Sequence, residues 1–199
     1  MVGKEKRMEL TKFLGSWKGG DDAAFCELMV LVSDELRILA KAHLRKERSH
    51  HTLRTDALVN EVYIRLQSGQ LQFNDRIHFF GIASNAMRQV LVDYAREQAT
   101  EKRGGRCERV HLEDLDQLTL EGDIEILQLN QAIEELALID EQKATIVVMR
   151  YFGGLTIEEV AHVLEASPAT IKREWNTAKV RLRRTIHGLP RTALSLINP

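Results

Sequence analysis

The chain has 199 residues, of which 44% are apolar and 29% charged, and its formal net charge is −1. That is enough apolar material for one large or two small domains and predicts a soluble globular protein. No apolar run approaches the roughly 20 residues of a membrane span, and no apolar leader follows the polar start MVGKEKRMEL, so nothing indicates membrane insertion or export and a cytoplasmic location is expected.

Strand-like alternation is nearly absent and prolines occur only at 168, 190 and 199, which predicts an all-α architecture. Cys26 and Cys107 are far apart and lack a C-x-x-C pattern, which fits a reducing compartment and two free thiols, each expected as a buried small hydrophobe.

Residues 8 to 48 read as two helices separated by Gly15, Gly19 and Gly20. The second carries Phe25, Leu28, Met29 and Val32, then Leu36, Leu39, Ala40 and Leu44, on one face, and runs towards a basic end at Arg45, Lys46 and Arg48. His50 and His51 are adjacent and lack partners at ligand spacing, so they do not suggest a metal site. Thr55 is expected to cap a helix from Asp56 to Gln67, with Leu58, Val59, Val62, Tyr63 and Leu66 inward and Asp56, Asn60, Glu61 and Arg65 outward. The longest periodic run extends from Ile77 to Gln98. Beside its apolar face lies a cationic edge of Arg76, Arg88, Gln89 and Arg96, continued by Lys102, Arg103, Arg106 and Arg109.

Residues 104 to 124 combine glycines with weak periodicity and are expected to be an interdomain linker. Charge is unevenly distributed here: from Val110 to Gln142 there are ten acids and no Lys or Arg. From Ile124 the helical period returns through Ile126, Leu129, Ile133, Leu136 and Ile139, and again from Ala144 to Phe152, where Gly153 and Gly154 stop it.

Thr156 and Glu159 then form the pattern of a capping box, in which each side chain satisfies an orphan N–H of the other's backbone. Ser167 followed by Pro168 predicts a second helix start ten or so residues later. Along this second helix Ile171, Trp175, Ala178 and Leu182 make one apolar stripe, which places Trp175 in the core, and Lys172, Arg173, Asn176, Lys179 and Arg183 lie opposite. From Ser167 to His187 six cations face one acid, a net of +5 in a chain of −1. A basic face alone would be an ordinary solvated surface. Paired caps, a short turn and cations on the second helix together predict a helix-turn-helix that lies against DNA.

Three stretches in this order resemble the extracytoplasmic-function (ECF) subfamily of bacterial sigma-70 factors: HTLRTDALVNEVYIRL, HFFGIASNAMRQVLVDYAREQATEKRGG, and EELALIDEQKATIVVMRYFGGLTIEEVAHVLEASPATIKREW. The resemblance covers nearly the whole chain. It implies a region 2-like domain over residues 1 to 103, the acidic linker over 104 to 124, a region 4-like domain over 125 to 187 and a tail over 188 to 199. It also implies a dissociable specificity subunit of core RNA polymerase with no cofactor and no catalytic residue. Asp56, Asn60, Glu61 and Arg65 would contact the polymerase; Arg88, Gln89, Arg96, Lys102 and Arg103 would approach the melted −10 promoter element. Pro168, Ala169, Thr170, Lys172, Arg173 and Asn176 would enter the major groove at the −35 element, with Lys179 and Arg183 on phosphate. No sensory domain is evident in the sequence, so control is expected from an anti-sigma factor, a kinase or expression level. Glu165 stands where the family commonly has Gly in the turn.

Two other readings compete. A two-component or quorum-type regulator carries a similar helix-turn-helix but needs a receiver or ligand domain, which an all-helical first half does not supply. An interaction module without promoter recognition would not need the cations of the last helix. An enzyme is disfavoured by the lack of G-x-x-x-x-G-K-[ST], G-x-S-x-G and H-E-x-x-H patterns.

Overall fold

The computed structural model describes residues 22–44, 51–67, 75–101, 109–110 and 124–187. Seven helices occur among them: α1 (Asp22–His43), α2 (His51–Gln67), α3 (Arg76–Glu101), α4 (Ile126–Ala137), α5 (Glu141–Tyr151), α6 (Ile157–Val163) and α7 (Pro168–His187). The helix expected before Gly15, the basic end of α1, Lys102, Arg103, Cys107, most of the linker and the tail lie outside the described residues.

The all-α expectation holds, with one small addition. Strands β1 (Arg109–Val110) and β2 (Ile124–Glu125) pair antiparallel, Arg109 opposite Glu125 and Val110 opposite Ile124.

In the first unit α1 packs on α2 and α2 on α3. The α1 stripe is buried as its spacing predicts, from Phe25 and Leu28 through Val32 and Leu36 to Ala40 and Leu44. Cys26 departs from expectation. It falls one position off that stripe and is exposed, its Sγ 3.3 Å from Tyr63 Oη. Helix α2 starts at His51, four residues before the expected cap, because neither Gly nor Pro interrupts the chain there; Thr55 is therefore inside the helix and buried. The start of α3 is capped by Asp75, whose Oδ1 accepts the His78 N–H at 2.8 Å.

In the second unit α7 packs against α4, α5 and α6. Asp140 caps α5 by accepting the Lys143 N–H at 3.0 Å. Leu138 and Ile139 fall in the turn after α4 and are exposed, so the apolar period there outlasts the helix.

The two units are docked on each other through α3, which touches α4, α5 and α6, and through His43 of α1, whose ring lies against Tyr151 and Phe152. Gly81, in the second turn of α3, lies at this contact: a Cβ there would lie 3.3 Å from both Met149 Cε and Val163 Cγ1. A mid-helix Gly costs about 1 kcal/mol relative to Ala. The docked neighbours account for its presence.

Candidate nucleic-acid interface

Both predicted helix starts of the helix-turn-helix are present. Thr156 Oγ1 accepts the Glu159 N–H at 3.1 Å, and Glu159 Oε2 accepts the Thr156 N–H at 2.9 Å, completing the capping box. At the second start Ser167 Oγ accepts the Thr170 N–H at 3.0 Å. Between them the turn closes as a Schellman motif: Ala166 N–H reaches Ala161 O at 3.0 Å and Glu165 N–H reaches His162 O at 3.3 Å. Glu165 occupies the left-handed position of that motif with φ 50°, the conformation for which Gly is the usual solution.

Helix α7 is oriented by its apolar stripe. Ile171, Trp175, Ala178 and Leu182 are all buried, which leaves Pro168, Ala169, Lys172, Arg173 and Asn176 exposed along the opposite side, with Thr170 half-buried. Lys179 and Arg183 are half-buried rather than free. The Lys179 ammonium sits 5.6 Å from the Trp175 ring centre, and its pKa is lowered by desolvation and by the nearby charges of Arg183 and Arg150.

Two supporting groups escape a sequence reading. Arg150 is buried, donates from Nη1 to the Leu155 carbonyl, and lies 5.4 Å over Trp175, so it ties the turn before α6 to α7. Lys143 bridges Asp140 and Glu174, its Nζ 2.6 Å from Glu174 Oε2, and so fixes the one acid of α7. The hydrogen bond from Lys143 is the main reason the Asp140 and Glu174 carboxyls titrate below their usual range. Only the i, i+3 spacing of Asp140 and Lys143 is visible in the sequence.

On the first unit the expected polymerase-facing residues share one side of α2, Asn60 exposed and Asp56 and Glu61 half so. Asp56 pairs with Arg37 at 2.9 Å. Arg65 pairs with Asp93 at 2.7 Å and Glu61 at 3.3 Å and reaches Gln89 Oε1 at 3.5 Å, which couples the α2 face to the α3 face. The Asp93 hydrogen bond leads the causes that raise the Arg65 pKa.

The cationic edge of α3 is only partly an open surface. Gln89 and Arg96 are exposed. Arg76 is instead enclosed by Glu35 and Glu159, and Arg88 is covered by α4. Arg88 Nε donates to Asn130 Oδ1 at 2.8 Å, and its Nη2 lies 3.6 Å from Glu134 Oε1. Desolvation lowers the Arg88 pKa, and the Glu134 charge opposes that shift. Arg88 is taken from the expected free edge by the docked second unit, and Arg76 chiefly by Glu35 of α1 with Glu159 of α6 beside it; periodicity within α3 encodes neither.

The family model for ECF sigma factors matches residues 7–188. The chain belongs to the ECF sigma factor family. As an ECF sigma factor it is a DNA-binding transcription initiation factor, and α6 and α7 are its helix-turn-helix. Among solved structures it is similar to the sigma factor RpoE in a co-crystal with the anti-sigma factor NepR from Bartonella quintana. That match has 18% identity and a TM-score of 0.36, and covers 84% of this chain and 98% of the other. No curated protein sequence matches the chain. No helix among the described residues of this sigma factor is long and apolar enough to cross a membrane.

Proposed function

We propose that this ECF sigma factor binds core RNA polymerase and directs it to promoters carrying a specific pair of −35 and −10 elements. The observation that carries the reading is the exposed start of α7, where a capped helix N-terminus and the side chains of Lys172, Arg173 and Asn176 lie together on the side away from the core. Such a surface suits a major groove: the helix end and long cations hold phosphate, while Arg, Lys and Asn can pair with base edges.

In this reading α7 enters the −35 groove. Gln89, Arg96 and Arg88 of α3, with Lys102 and Arg103 beyond it, hold the opened −10 strand. Asp56, Asn60, Glu61 and Arg65 on α2 form the polymerase contact, where a rigid polar face sets orientation. The chain supplies specificity and the polymerase supplies catalysis. The acidic linker suits passage through a basic polymerase channel and keeps the free protein's basic surfaces from binding DNA indiscriminately. Run-off transcription from genomic fragments with reconstituted holoenzyme tests this: discrete starts sharing two upstream motifs are expected, and random initiation would contradict it.

A further inference from the structure

The edge of α3 assigned to the opened −10 strand carries an acid that strand binding does not explain. Asp93 follows Gln89 by one turn and precedes Arg96 by three residues, so all three share one side of the helix. An unpaired carboxylate there would repel a phosphate backbone. Asp93 is instead paired twice: its Oδ2 accepts from Arg65 Nη2 of α2 at 2.7 Å, and its Oδ1 accepts from Arg96 Nη1 at 3.3 Å.

Arg65 is shared in its turn. Its Nε donates to Glu61 Oε1 at 3.3 Å, and its Nη1 to Gln89 Oε1 at 3.5 Å. Four charges of alternating sign, Glu61, Arg65, Asp93 and Arg96, therefore form an unbroken chain from the polymerase-facing side of α2 to the strand-facing edge of α3. Arg65, at 27% exposure, is its most enclosed member, whereas the two ends, Glu61 at 45% and Arg96 at 61%, are open to partners.

In such a chain neighbouring contacts compete. A guanidinium drawn towards one carboxylate neutralises the other less well, and a carboxylate held firmly by one cation holds the next less strongly. A polymerase cation on Glu61 would thus turn Arg65 more fully onto Asp93. Asp93, so neutralised, would release Arg96 to phosphate.

We propose that Asp93 is a positioning residue which, through Arg65, links polymerase binding on α2 to strand capture on α3: occupation of Glu61 tightens the pair of Arg65 with Asp93 and frees Arg96. Because these pairs are partly exposed, the link changes strand affinity by about 2- to 5-fold, the scale of one such ion pair. This rests on the polymerase-facing and strand-facing assignments of α2 and α3.

The test measures how the full chain, without polymerase, binds a labelled random-sequence single-stranded oligonucleotide across a salt series. Glu61→Gln removes the competitor for Arg65 and should raise strand affinity about 2- to 5-fold. It should also steepen the slope of log affinity against log salt by about 0.7, the value of one added phosphate contact on a single strand. Asp56→Asn removes an equal charge from the same side of α2, where the acid pairs with Arg37, and should do neither. In an Asp93→Asn or an Arg96→Ala background the Glu61→Gln gain should vanish, which loss of a charge acting through space alone would not bring about. A gain that persists in either background, or no gain in the wild-type background, would overturn the proposal. Core polymerase binding is scored separately: variants that pass these tests in a chain that never binds polymerase would uphold the coupling of Glu61 to Arg96 and contradict the polymerase assignment of α2. Failure of every variant to bind the strand would overturn both the proposal and the strand-facing assignment of α3.

Discussion

Arg88 of the first helical unit donates to Asn130 of the second at 2.8 Å, and the Asn130 amide in turn donates to Glu134 at 2.9 Å. A cation of one unit thus completes a polar chain on the other, in a place where Arg88 is 20% exposed. Hydrogen bonds to a charged partner contribute about 1.5–3 kcal/mol when shielded, and less as water enters. A double-mutant cycle with Arg88→Ala and Asn130→Ala, followed by urea unfolding, should give a coupling of about 1 kcal/mol. Additive losses would mean that the contact contributes nothing to docking.

The exposed side of α7 predicts two kinds of loss. Lys172→Ala or Arg173→Ala should each cost about 1–3 kcal/mol at one promoter position, because an exposed head near the helix start can reach a base edge. Arg183→Ala, near the helix end, should weaken binding evenly over sequences and reduce its salt dependence. Binding of holoenzyme to single-base promoter variants at two salt concentrations separates these outcomes.

Glu165 at φ 50° predicts a stabilising substitution. A non-glycine residue in that region carries a penalty of about 1–2 kcal/mol, part of which Gly loses again through the entropy of the unfolded chain. Glu165→Gly should therefore raise stability by about 0.5–1 kcal/mol in denaturant unfolding, and Glu165→Val should lower it.

His43 links stability to pH. Its ring lies against Tyr151 and Phe152, with centroids 5.3 and 5.6 Å away, and enclosure by them pushes its pKa down from 6.5 to about 4, against a hydrogen bond to the Phe152 main chain. The folded state thus holds this ring neutral, while the unfolded chain takes up a proton below pH 6.5. The contribution is complete above pH 6.5 and declines as pH falls to about 4, by about 3 kcal/mol in all. His43→Phe should flatten that interval in urea unfolding at pH 7 and pH 4.5, whereas losses through carboxylates such as Asp75, Asp140 and Glu174 persist in both proteins.

Local signals carried most of the fold. The capping box at Thr156 and Glu159, the Ser167 cap and the Trp175 stripe are decided within one or two turns of chain, and the structure holds all of them. Thr55 misled because a good capping residue also fits a buried helical position when nothing upstream breaks the helix. Cys26 misled because composition ranks cysteine as buried while its register places it off the stripe. The candidate DNA surface was legible on α7, where exposure follows from one amphipathic period. On α3 it was less so. Arg76 and Arg88 look like a free edge in the sequence, and Glu35, Glu159, Asn130 and Glu134, which cover them, are between 41 and 83 residues away.

Association with core RNA polymerase tests the central claim most directly. The labelled full chain, titrated with bacterial core polymerase, should form a one-to-one complex. Reversing the charge of Glu61 should weaken that complex by at least about 5-fold, the scale of one lost interfacial charge contact. A chain that fails to bind core polymerase under conditions where its helices remain folded would contradict the account.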